Sequence, residues 1–328
     1  MLDKKMLTEM IASNLAPILE WLDDKSVTEI MINPGGRVFV EAAGVLSAKG
    51  VLISDLDVEK TIIAVGKYAG KNPRRDSAAG IVYASIDDLR FSGALPPVCP
   101  DGSFISIRKH SDKSERPSME NLIAWNMLTQ EQAERLEDLV LNQRKNLFIV
   151  GGTGSGKTTL LNALLNRLPA YERVLTIEDS REIHLELENH FPMVANVDKG
   201  ITARDLVKLM LRVRPDRLVL GETRGDETYD VIRAFNSGHP GSISTIHADS
   251  AEQGLAALEM MFQMSLPENA RMSDTVMRQC IAASVNVVVF VSRSTVKKDG
   301  VAKVVRKVTE ICIVKGVVDG KYVLENVA

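Results

Sequence analysis

The sequence predicts an α/β protein with a smaller α+β domain over residues 1–112, a linker at 113–120 and a larger domain over 121–328. From Asn146 onward, apolar runs of strand length alternate with helical patterns, which is typical of a doubly wound sheet with helices on both faces. The first part of the chain instead carries short strand-like segments and two helical ones. Between them lies "SDKSERPS", a polar stretch containing Pro117 that is typical of a linker.

Composition limits the class of protein. The 328 residues are enough for two domains, and 45% of them are apolar and 25% charged, with a net charge of -3. This near-neutral charge and the 5% aromatic content give no indication of direct nucleic-acid binding. Three distant cysteines indicate neither a disulfide framework nor a zinc site. No apolar run approaches the ~20 residues of a membrane span, and no signal peptide begins the chain, so we expect a cytoplasmic protein.

The first segment, "MLTEMIASNLAPILEWLDD", has helical spacing with one apolar face. Such a helix can lie on a membrane surface, or it can pack on its own domain or a neighbouring subunit. Its polar face is not rich in Lys or Arg, which favours packing against protein. Peripheral membrane association therefore stays an open alternative for this segment.

The rest of the smaller domain alternates strands with turns. "VTEIMINPGGRVFVEAAG" reads as two strands joined by a tight turn at Pro34-Gly35-Gly36. A helix is predicted around "DVEKTIIAVGKYAG", and "DLRFSGALPPVCPDGSFISIRKH" gives two strand-like runs around a Pro- and Gly-rich connection.

The larger domain begins with the helical stretch "MENLIAWNMLTQEQAERLEDLVLNQRK", in which Thr129 and Gln132 form a capping-box pattern. The alternating strands and helices that follow are "NLFIV", "TTLLNALLNRL", "RVLTIED", "ARDLVKLMLRV", "RLVLGE" and "ETYDVIRAFNSG". The last segment, from "VNVVVFV" to "KYVLENV", reads as strands joined by Asp-Gly turns and predicts an antiparallel extension.

A phosphate-binding loop stands at the first strand-to-helix junction of this domain. "LFIVGGTGSGKTTLLNALL" has the GxxxxGK[ST] pattern between a strand and a helix, which is the context that the motif requires. Its glycines let backbone N–H groups surround the phosphates at a helix N-terminus. Lys157 can reach the β- and γ-phosphates of ATP, and the Thr158 hydroxyl can ligate Mg²⁺. The expected nucleotide-binding residues are Gly151, Gly152, Thr153, Gly154, Ser155, Gly156, Lys157, Thr158 and Thr159.

Carboxylates end the next two strands. "LTIEDSREI" places Glu178 and Asp179 at the carboxyl edge of the sheet, where open α/β sheets bind ligands. "RLVLGETRGDE" ends in Glu222, where nucleotide-binding sheets usually carry an Asp for the metal. Since a glutamate reaches further, we expect Glu222 to orient or deprotonate the attacking water. Thr158, phosphates and waters held by Glu178 or Asp179 would then hold Mg²⁺.

Two histidines flank a short strand in "SGHPGSISTIHADS". His239 and His247 lie eight positions apart without further ligands at zinc spacing, which disfavours a zinc site. A histidine that senses the γ-phosphate through a hydrogen bond fits the context better. For either histidine alone, a structural role within the core is the alternative.

Together these blocks resemble the secretion-ATPase superfamily, most closely the ATPases of type IV secretion and conjugal transfer of the TrbB type. The matching blocks, in order, are "GGTGSGKTTL", "TIEDSREI", "RPDRLVLGETRGDE" and "SGHPGSISTIHA", which with the helical lead-in cover most of residues 120–260. The chain lacks the four-cysteine insertion typical of type II secretion ATPases. "MRQCIAASVNVVVFVSRS" does not show the usual C-terminal signature of the pilus-retraction branch.

The resemblance implies a RecA-like P-loop NTPase domain, a separate N-terminal domain, and a hexameric ring that binds ATP between the two domains. It makes Glu222 the catalytic glutamate and His247 the histidine near the γ-phosphate. Members of the superfamily also supply arginines from the N-terminal domain, and Arg90 and Arg108 fit that pattern. Exposed strand arginines without a catalytic role are the alternative for both.

The function expected from the motifs and the resemblance is a motor that hydrolyses Mg-ATP to power conjugal transfer, type IV secretion or assembly of the associated pilus. We expect it on the cytoplasmic face of the inner membrane, with the membrane-embedded secretion or conjugation proteins as partners. A nucleotide-regulated scaffold and a pilus or type II secretion ATPase of the same superfamily are the alternatives. A DNA translocase and a small-molecule kinase fit less well.

Overall fold

The structure is a computed structural model whose described residues are 3–42, 44–75, 78–109, 118–267, 270, 272–298 and 301–328. The chain divides into two compact units, of which the first comprises Met1–Glu115 with Lys297–Val304 and the second Arg116–Val296 with Val305–Ala328. Residues 113–117 of the expected linker lie outside the described residues, as does the Asp-Gly pair at 299–300. None of the described helices is both long enough and apolar enough to cross a membrane.

The first unit is a six-stranded antiparallel sheet with three helices. Its elements are α1 (Lys4–Asn14), α2 (Leu19–Asp23), β1 (Val27–Asn33), β2 (Arg37–Ala42), β3 (Val45–Val51), α3 (Asp55–Tyr68), β4 (Ile81–Ile86), β5 (Leu89–Ala94) and β6 (Phe104–Lys109). The strand order is β3-β2-β1-β6-β5-β4. Neighbouring strands pair antiparallel throughout.

The amphipathic pattern at the N-terminus forms two helices rather than one. A 3₁₀ turn at Ala16–Ile18 separates α1 from α2, because Pro17 has no N–H with which to continue the helix. The apolar side chains of this segment that are buried in the core of the first unit are Leu7, Ile11, Leu15 and Ile18. This apolar face therefore packs on its own domain.

The predicted turn between β1 and β2 is present and depends on glycine. Gly35 and Gly36 have φ of +75° and +70°, in the left-handed region that favours glycine. A Cβ on Gly36 would lie 1.6 Å from the carbonyl oxygen of Ile53, so no side chain fits there.

The second unit alternates helices and strands as the sequence predicts. Its elements are α4 (Met119–Ala124), α5 (Gln130–Glu137), β7 (Leu147–Val150), α6 (Lys157–Leu165), β8 (Val174–Glu178), β9 (His190–Val194), α7 (Ala203–Met210), β10 (Arg217–Leu220), α8 (Thr228–Phe235), β11 (Ile243–Ile246), α9 (Ala251–Ser265), α10 (Asp274–Ser284), β12 (Val287–Lys298), β13 (Val301–Val318) and β14 (Lys321–Asn326). The end of β12 and the start of β13 fall in Lys297–Val304, which belongs to the first unit. The capping box that opens α5 is confirmed, since Thr129 and Gln132 each cap the other's backbone N–H.

Parallel strands form the centre of the eight-stranded sheet, which has the order β14-β13-β12-β7-β11-β10-β8-β9. The pairs from β12 to β9 are all parallel. Every residue of β7, β8, β10 and β11 is buried, as expected for strands covered on both faces. Two apolar cores lie in this unit, and helices contribute to both. The carboxyl ends of these strands therefore meet at one edge of the sheet.

The C-terminal extension is partly antiparallel. β12 pairs parallel to β7, whereas β13 and β14 pair antiparallel. Their connection is the predicted Asp-Gly turn, in which Asp319 and Gly320 have φ of +50° and +73°. Positive φ at both central residues is the geometry of the type I′ hairpin turn that this dipeptide favours.

Candidate active site

The phosphate-binding pattern lies between the end of β7 and the start of α6. Gly154 and Gly156 have φ of +68° and +100°, and Gly156 directly precedes the first residue of the helix. A Cβ on Gly151 would stand 2.4 Å from the carbonyl oxygen of Val291 and 2.5 Å from the Ser155 hydroxyl. The glycines at these three positions are therefore required by the path of the loop.

Lys157 is buried at the start of α6 and faces its own loop. Its ammonium donates to the carbonyl oxygens of Gly151 at 2.7 Å and Gly152 at 3.0 Å. The same Nζ lies 3.4 Å from Nδ1 of His247. The hydroxyl of Ser155 is buried within the loop and has no hydrogen-bond partner among the residues that the structure describes.

These features fit a phosphate ligand. An anion in the loop would give the Ser155 hydroxyl a partner and would attract the Lys157 ammonium from its carbonyl contacts. The start of α6 also favours binding of an anion, because its backbone N–H groups can donate and the helix dipole is positive at this end.

Glu222 and His247 meet at the carboxyl edge of the sheet. Oε1 of Glu222 lies 2.6 Å from Nε2 of His247, and the Glu222 side chain is 19% exposed. Burial and the nearby Lys157 hold the pKa of His247 below its ordinary value, although Glu222 opposes this effect. A neutral imidazole with its proton on Nε2 therefore donates to Glu222 and offers Nδ1 to Lys157.

Arg224 is a member of this site that the sequence did not single out. Its Nε donates to Oε2 of Glu222 at 2.7 Å, and its Nη1 contacts Oδ2 of Asp179. The available sequence signal was a cation two residues after the strand-end glutamate. Charged and polar groups thus form a continuous chain from Asp179 through Arg224, Glu222 and His247 to Lys157.

Glu178 is buried beside Gly221, where a Cβ would come within 3.0 Å of the Glu178 Cγ. Its Oε1 accepts the backbone N–H groups of Glu182 and Ile183, both at 2.8 Å. Burial raises the pKa of Glu178 to about 7, against the lowering effect of those two hydrogen bonds. Its Oε2 is buried, and none of the described residues forms a hydrogen bond with it.

The residues present fit a magnesium ion that is held mainly by phosphate and water. In the part of the chain that the structure describes, no group of three or more His, Cys, Asp and Glu side chains gathers around a cation position. Thr158, on the first turn of α6, can supply a hydroxyl ligand, and the partnerless Oε2 of Glu178 is an acceptor for metal-bound water. Asp179 is the second carboxylate at this edge, although Arg224 contacts it here.

His239 occupies a different environment from His247. Its Nδ1 lies 3.1 Å from the carbonyl oxygen of Ala234, and its own carbonyl accepts the Ser242 hydroxyl at 2.7 Å. These contacts close the loop between α8 and β11, so His239 has a structural role. The histidine that joins the carboxylate site is His247.

Arg90 and Arg108 lie in the first unit, directly opposite each other on β5 and β6. Residues paired across antiparallel strands share one face, so the two side chains leave the sheet on the same side. Arg108 is exposed and also stands opposite Glu29 of β1. The structure thus brings the two arginines together, and their catalytic role stays a prediction.

A known protein family matches most of this chain. The family model described as "Type II/IV secretion system protein" matches residues 73–312. The chain belongs to this family. The family member TrbB of Rhizobium radiobacter, a conjugal transfer protein, is 30% identical over 312 residues, which cover 94% of this chain and 90% of TrbB. Protein VirB11 of Rhizobium radiobacter is 31% identical over 304 residues, which cover 84% of this chain and 88% of VirB11. The expected resemblance to type II/IV secretion system proteins of the TrbB type is confirmed.

Solved structures confirm the fold of this type II/IV secretion system protein. The pilus retraction motor PilT with bound ADP superimposes with a TM-score of 0.61 at 18% identity, covering 91% of this chain and 82% of PilT. The ATPase DotB of Legionella pneumophila gives a TM-score of 0.58 at 20% identity, covering 91% and 80%. The predicted fold class, a RecA-like P-loop domain with a smaller α+β N-terminal domain, is therefore correct.

Proposed function

We propose that this chain hydrolyses Mg-ATP and uses the energy to power conjugal transfer, type IV secretion or the assembly of the associated pilus. The observation that carries the proposal is the contact of His247 with both Lys157 and Glu222. It connects the phosphate-binding loop directly to a carboxylate that can act on water. A protein that only binds nucleotide needs the loop but not this carboxylate.

Binding of ATP would begin at the loop of residues 151–159. Gly151, Gly152, Thr153, Gly154, Ser155, Gly156, Lys157, Thr158 and Thr159 supply the backbone N–H groups and side chains for the phosphates. Lys157 would exchange its two carbonyl acceptors for phosphate oxygens, since an ion pair is stronger than a hydrogen bond to a neutral group. This movement would also withdraw the ammonium from Nδ1 of His247.

Glu222 is the proposed catalytic base. Its carboxylate would orient and deprotonate the water that attacks the γ-phosphate. His247 fixes one oxygen of this carboxylate and Arg224 the other, so the direction of the group is defined before the substrate arrives. Once Lys157 has moved to the phosphates, Nδ1 of His247 loses its donor, and a proton taken up there would let the ring donate a hydrogen bond to the γ-phosphate.

Thr158 would hold Mg²⁺ through its hydroxyl, with Glu178 and Asp179 accepting hydrogen bonds from its waters. When bound, the ion would neutralise negative charge on the phosphate oxygens. Arg90 and Arg108 would stabilise the charge that develops on the transferring phosphoryl group, because a guanidinium fork matches its oxygens.

The working form we propose is a homohexameric ring on the cytoplasmic face of the inner membrane, where it acts on the membrane-embedded secretion or conjugation proteins. The relative TrbB, named as a conjugal transfer protein, supports the link to conjugation. The match covers most of the length of both relatives, TrbB and VirB11.

The experiment is Mg²⁺-dependent ATP hydrolysis as a function of protein concentration, with Glu222→Gln as the blank. Activity per subunit that rises with concentration, and is absent from the blank, supports a motor that works as an assembled ring. Wild-type protein that binds ATP but never exceeds the blank, even when assembled, contradicts the motor and favours a nucleotide-regulated scaffold. Sizing of the same samples separates a monomeric enzyme from a ring that is already complete.

A further inference from the structure

An arginine from the C-terminal extension of the sheet contacts the phosphate-binding loop. Nε of Arg306, on β13, donates a hydrogen bond of 2.8 Å to the carbonyl oxygen of Gly154. The Arg306 side chain also runs past Gly156, where a Cβ would be 3.6 Å from the Arg306 Cδ. Arg306 thus follows the loop from Gly154 to the start of α6.

Arg306 contacts the Gly154–Ser155 peptide, whose N–H group forms a hydrogen bond across the loop. The N–H of Ser155 donates to the carbonyl oxygen of Gly152 at 3.3 Å. In a trans peptide the C=O and the following N–H point in opposite directions, so holding the Gly154 carbonyl toward β13 directs the Ser155 N–H across the turn. Gly154 has φ of +68° and lacks a Cβ, so the backbone alone restrains this peptide weakly.

Arg293 on β12 lies near the same glycine without a comparable contact. A Cβ on Gly154 would stand 3.8 Å from Nε of Arg293 and 3.9 Å from its Cζ. Arg293 is exposed, whereas Arg306 is half-buried. The two arginines therefore bring similar positive charge to the loop, and Arg306 adds a hydrogen bond to its backbone.

We propose that Arg306 is a positioning residue for the phosphate-binding loop: its hydrogen bond to Gly154 sets the orientation of the Gly154–Ser155 peptide before the nucleotide phosphates bind. The identity of the ligand as a nucleoside triphosphate rests on the proposed function, whereas the restraint on the loop is independent of it. An ordered loop binds phosphate without first losing conformational entropy, so Arg306 increases affinity through preorganisation.

Three variants separate positioning from charge. Arg306→Gln places an amide nitrogen at the same number of bonds from Cα as the arginine Nε, so it keeps a donor for Gly154 and removes the charge. Arg306→Met removes both the donor and the charge at similar length. Lys307→Met removes a positive charge one residue away on the opposite face of β13 and serves as the control.

The first readout is hydrogen exchange of the amides of residues 152–158 in nucleotide-free protein. We expect exchange to rise about tenfold in Arg306→Met, as for the loss of one charge-assisted hydrogen bond, and to stay near wild type in Arg306→Gln and Lys307→Met. The second readout is the Kd for a fluorescent ATP analogue, which should rise about tenfold in Arg306→Met and less than about threefold in Arg306→Gln. An unchanged melting temperature and unchanged exchange outside the loop would show that the effect is local.

The proposal would be overturned if Arg306→Gln, Arg306→Met and Arg293→Met all lost the same affinity for the ATP analogue and if high salt removed the difference from wild type. General electrostatic attraction would then explain the effect. Wild-type exchange in Arg306→Met would overturn the proposal as well. If Arg306→Met does not fold, Arg306→Gln alone decides, since fast exchange in that folded variant contradicts positioning by the hydrogen bond. Failure of wild-type protein to bind ATP, with the exchange result as expected, would contradict the proposed function and leave the loop restraint in place.

Discussion

His247 lies 2.6 Å from Glu222 through its Nε2 and the Glu222 Oε1. The two residues follow neighbouring parallel strands, β11 and β10, whose carboxyl ends meet at one edge of the sheet. The lowered pKa of His247, caused by burial and by the nearby Lys157, keeps the ring neutral at pH 7. A neutral ring can donate to the carboxylate and accept from the lysine at once.

Removal of His247 should therefore reduce turnover more than substrate binding. We expect His247→Ala to lower kcat about 10- to 100-fold, the range for loss of one hydrogen bond to a charged group, with little change in KM. His247→Gln keeps an N–H that can reach Glu222 and should retain more activity. Steady-state ATPase kinetics with both variants measure this difference.

A large rise in KM with unchanged kcat in His247→Ala would contradict this interpretation. It would indicate that the contact of His247 is equally strong in the ground state and in the transition state. The control is His239→Ala, because the ring of His239 contacts the carbonyl oxygen of Ala234 in α8 and its own carbonyl accepts from the Ser242 hydroxyl, away from Glu222 and Lys157. That variant should reduce stability without a selective effect on kcat.

The pH dependence of activity follows from the same contacts. His247 faces the charges of Lys157, Glu222 and Arg224, and its pKa lies below the ordinary 6.5. As the pH falls through this lowered pKa, the ring gains a proton at Nδ1 and loses its acceptor for Lys157. Wild-type kcat/KM should thus fall in an acid step with a midpoint below 6.5, separate from the titration of Glu178, whose pKa burial raises to about 7.

His247→Gln cannot take up this proton, so its profile should lack the step below pH 6.5 and keep only the titration of Glu178 near pH 7 that it shares with wild type. The measurement is kcat/KM from pH 5 to 8 at constant ionic strength for both proteins. The same acid step in His247→Gln would assign the titration to another group.

Much of the second unit could be predicted because its patterns are local. Four strands with every residue buried are rich in Val, Ile and Leu, and the loop between β7 and α6 carries its own glycine pattern. Residues at the ends of parallel strands must meet at one edge, so Glu178 and Glu222 could be assigned to one site from order alone. The strands β3, β4 and β9 were not predicted, since their exposed residues obscure the apolar pattern.

Contacts between distant segments could not be predicted in the same way. Arg224 and Arg306 are ordinary charged residues in the sequence, and their roles depend on which carboxylate or carbonyl the fold brings near. The interruption at Pro17 carried a local signal, but the strong apolar spacing on both sides favoured one continuous helix.

Arg108 provides a test of the predicted role of the first unit in catalysis. It is exposed on β6, so Arg108→Ala should leave the fold intact. If its guanidinium stabilises the transferring phosphoryl group, kcat should fall about 10²- to 10³-fold, as for the loss of one transition-state donor. ATPase assays on sized, assembled protein give the comparison with wild type.

Lys67→Ala is the matched control, because it removes one exposed cation from α3 of the same unit. Normal turnover in Arg108→Ala would reject the catalytic role and leave a surface arginine. A reduction in both variants would indicate a general effect of charge on assembly.

Arg217 and Glu172 form an ion pair whose removal should affect stability rather than catalysis. Their side chains are 0% and 2% exposed, and Arg217 also donates to the carbonyl oxygens of Val140 at 2.7 Å and Gly241 at 3.1 Å. Arg217→Met would leave a buried carboxylate whose remaining charged partner among the described residues is Arg144, at 2.8 Å. We expect this variant to lower the free energy of unfolding by about 3–5 kcal/mol.

The comparison variant is Lys315→Met, which breaks an ion pair with Glu325 between side chains that are 51% and 52% exposed. Water screens that pair, so its loss should cost no more than about 1 kcal/mol. Urea unfolding of both variants at pH 7, followed by circular dichroism, measures the contrast. Similar losses in the two variants would mean that Arg144 compensates for Arg217, and the double variant Arg144→Met/Arg217→Met would then show the full cost of the unpaired Glu172.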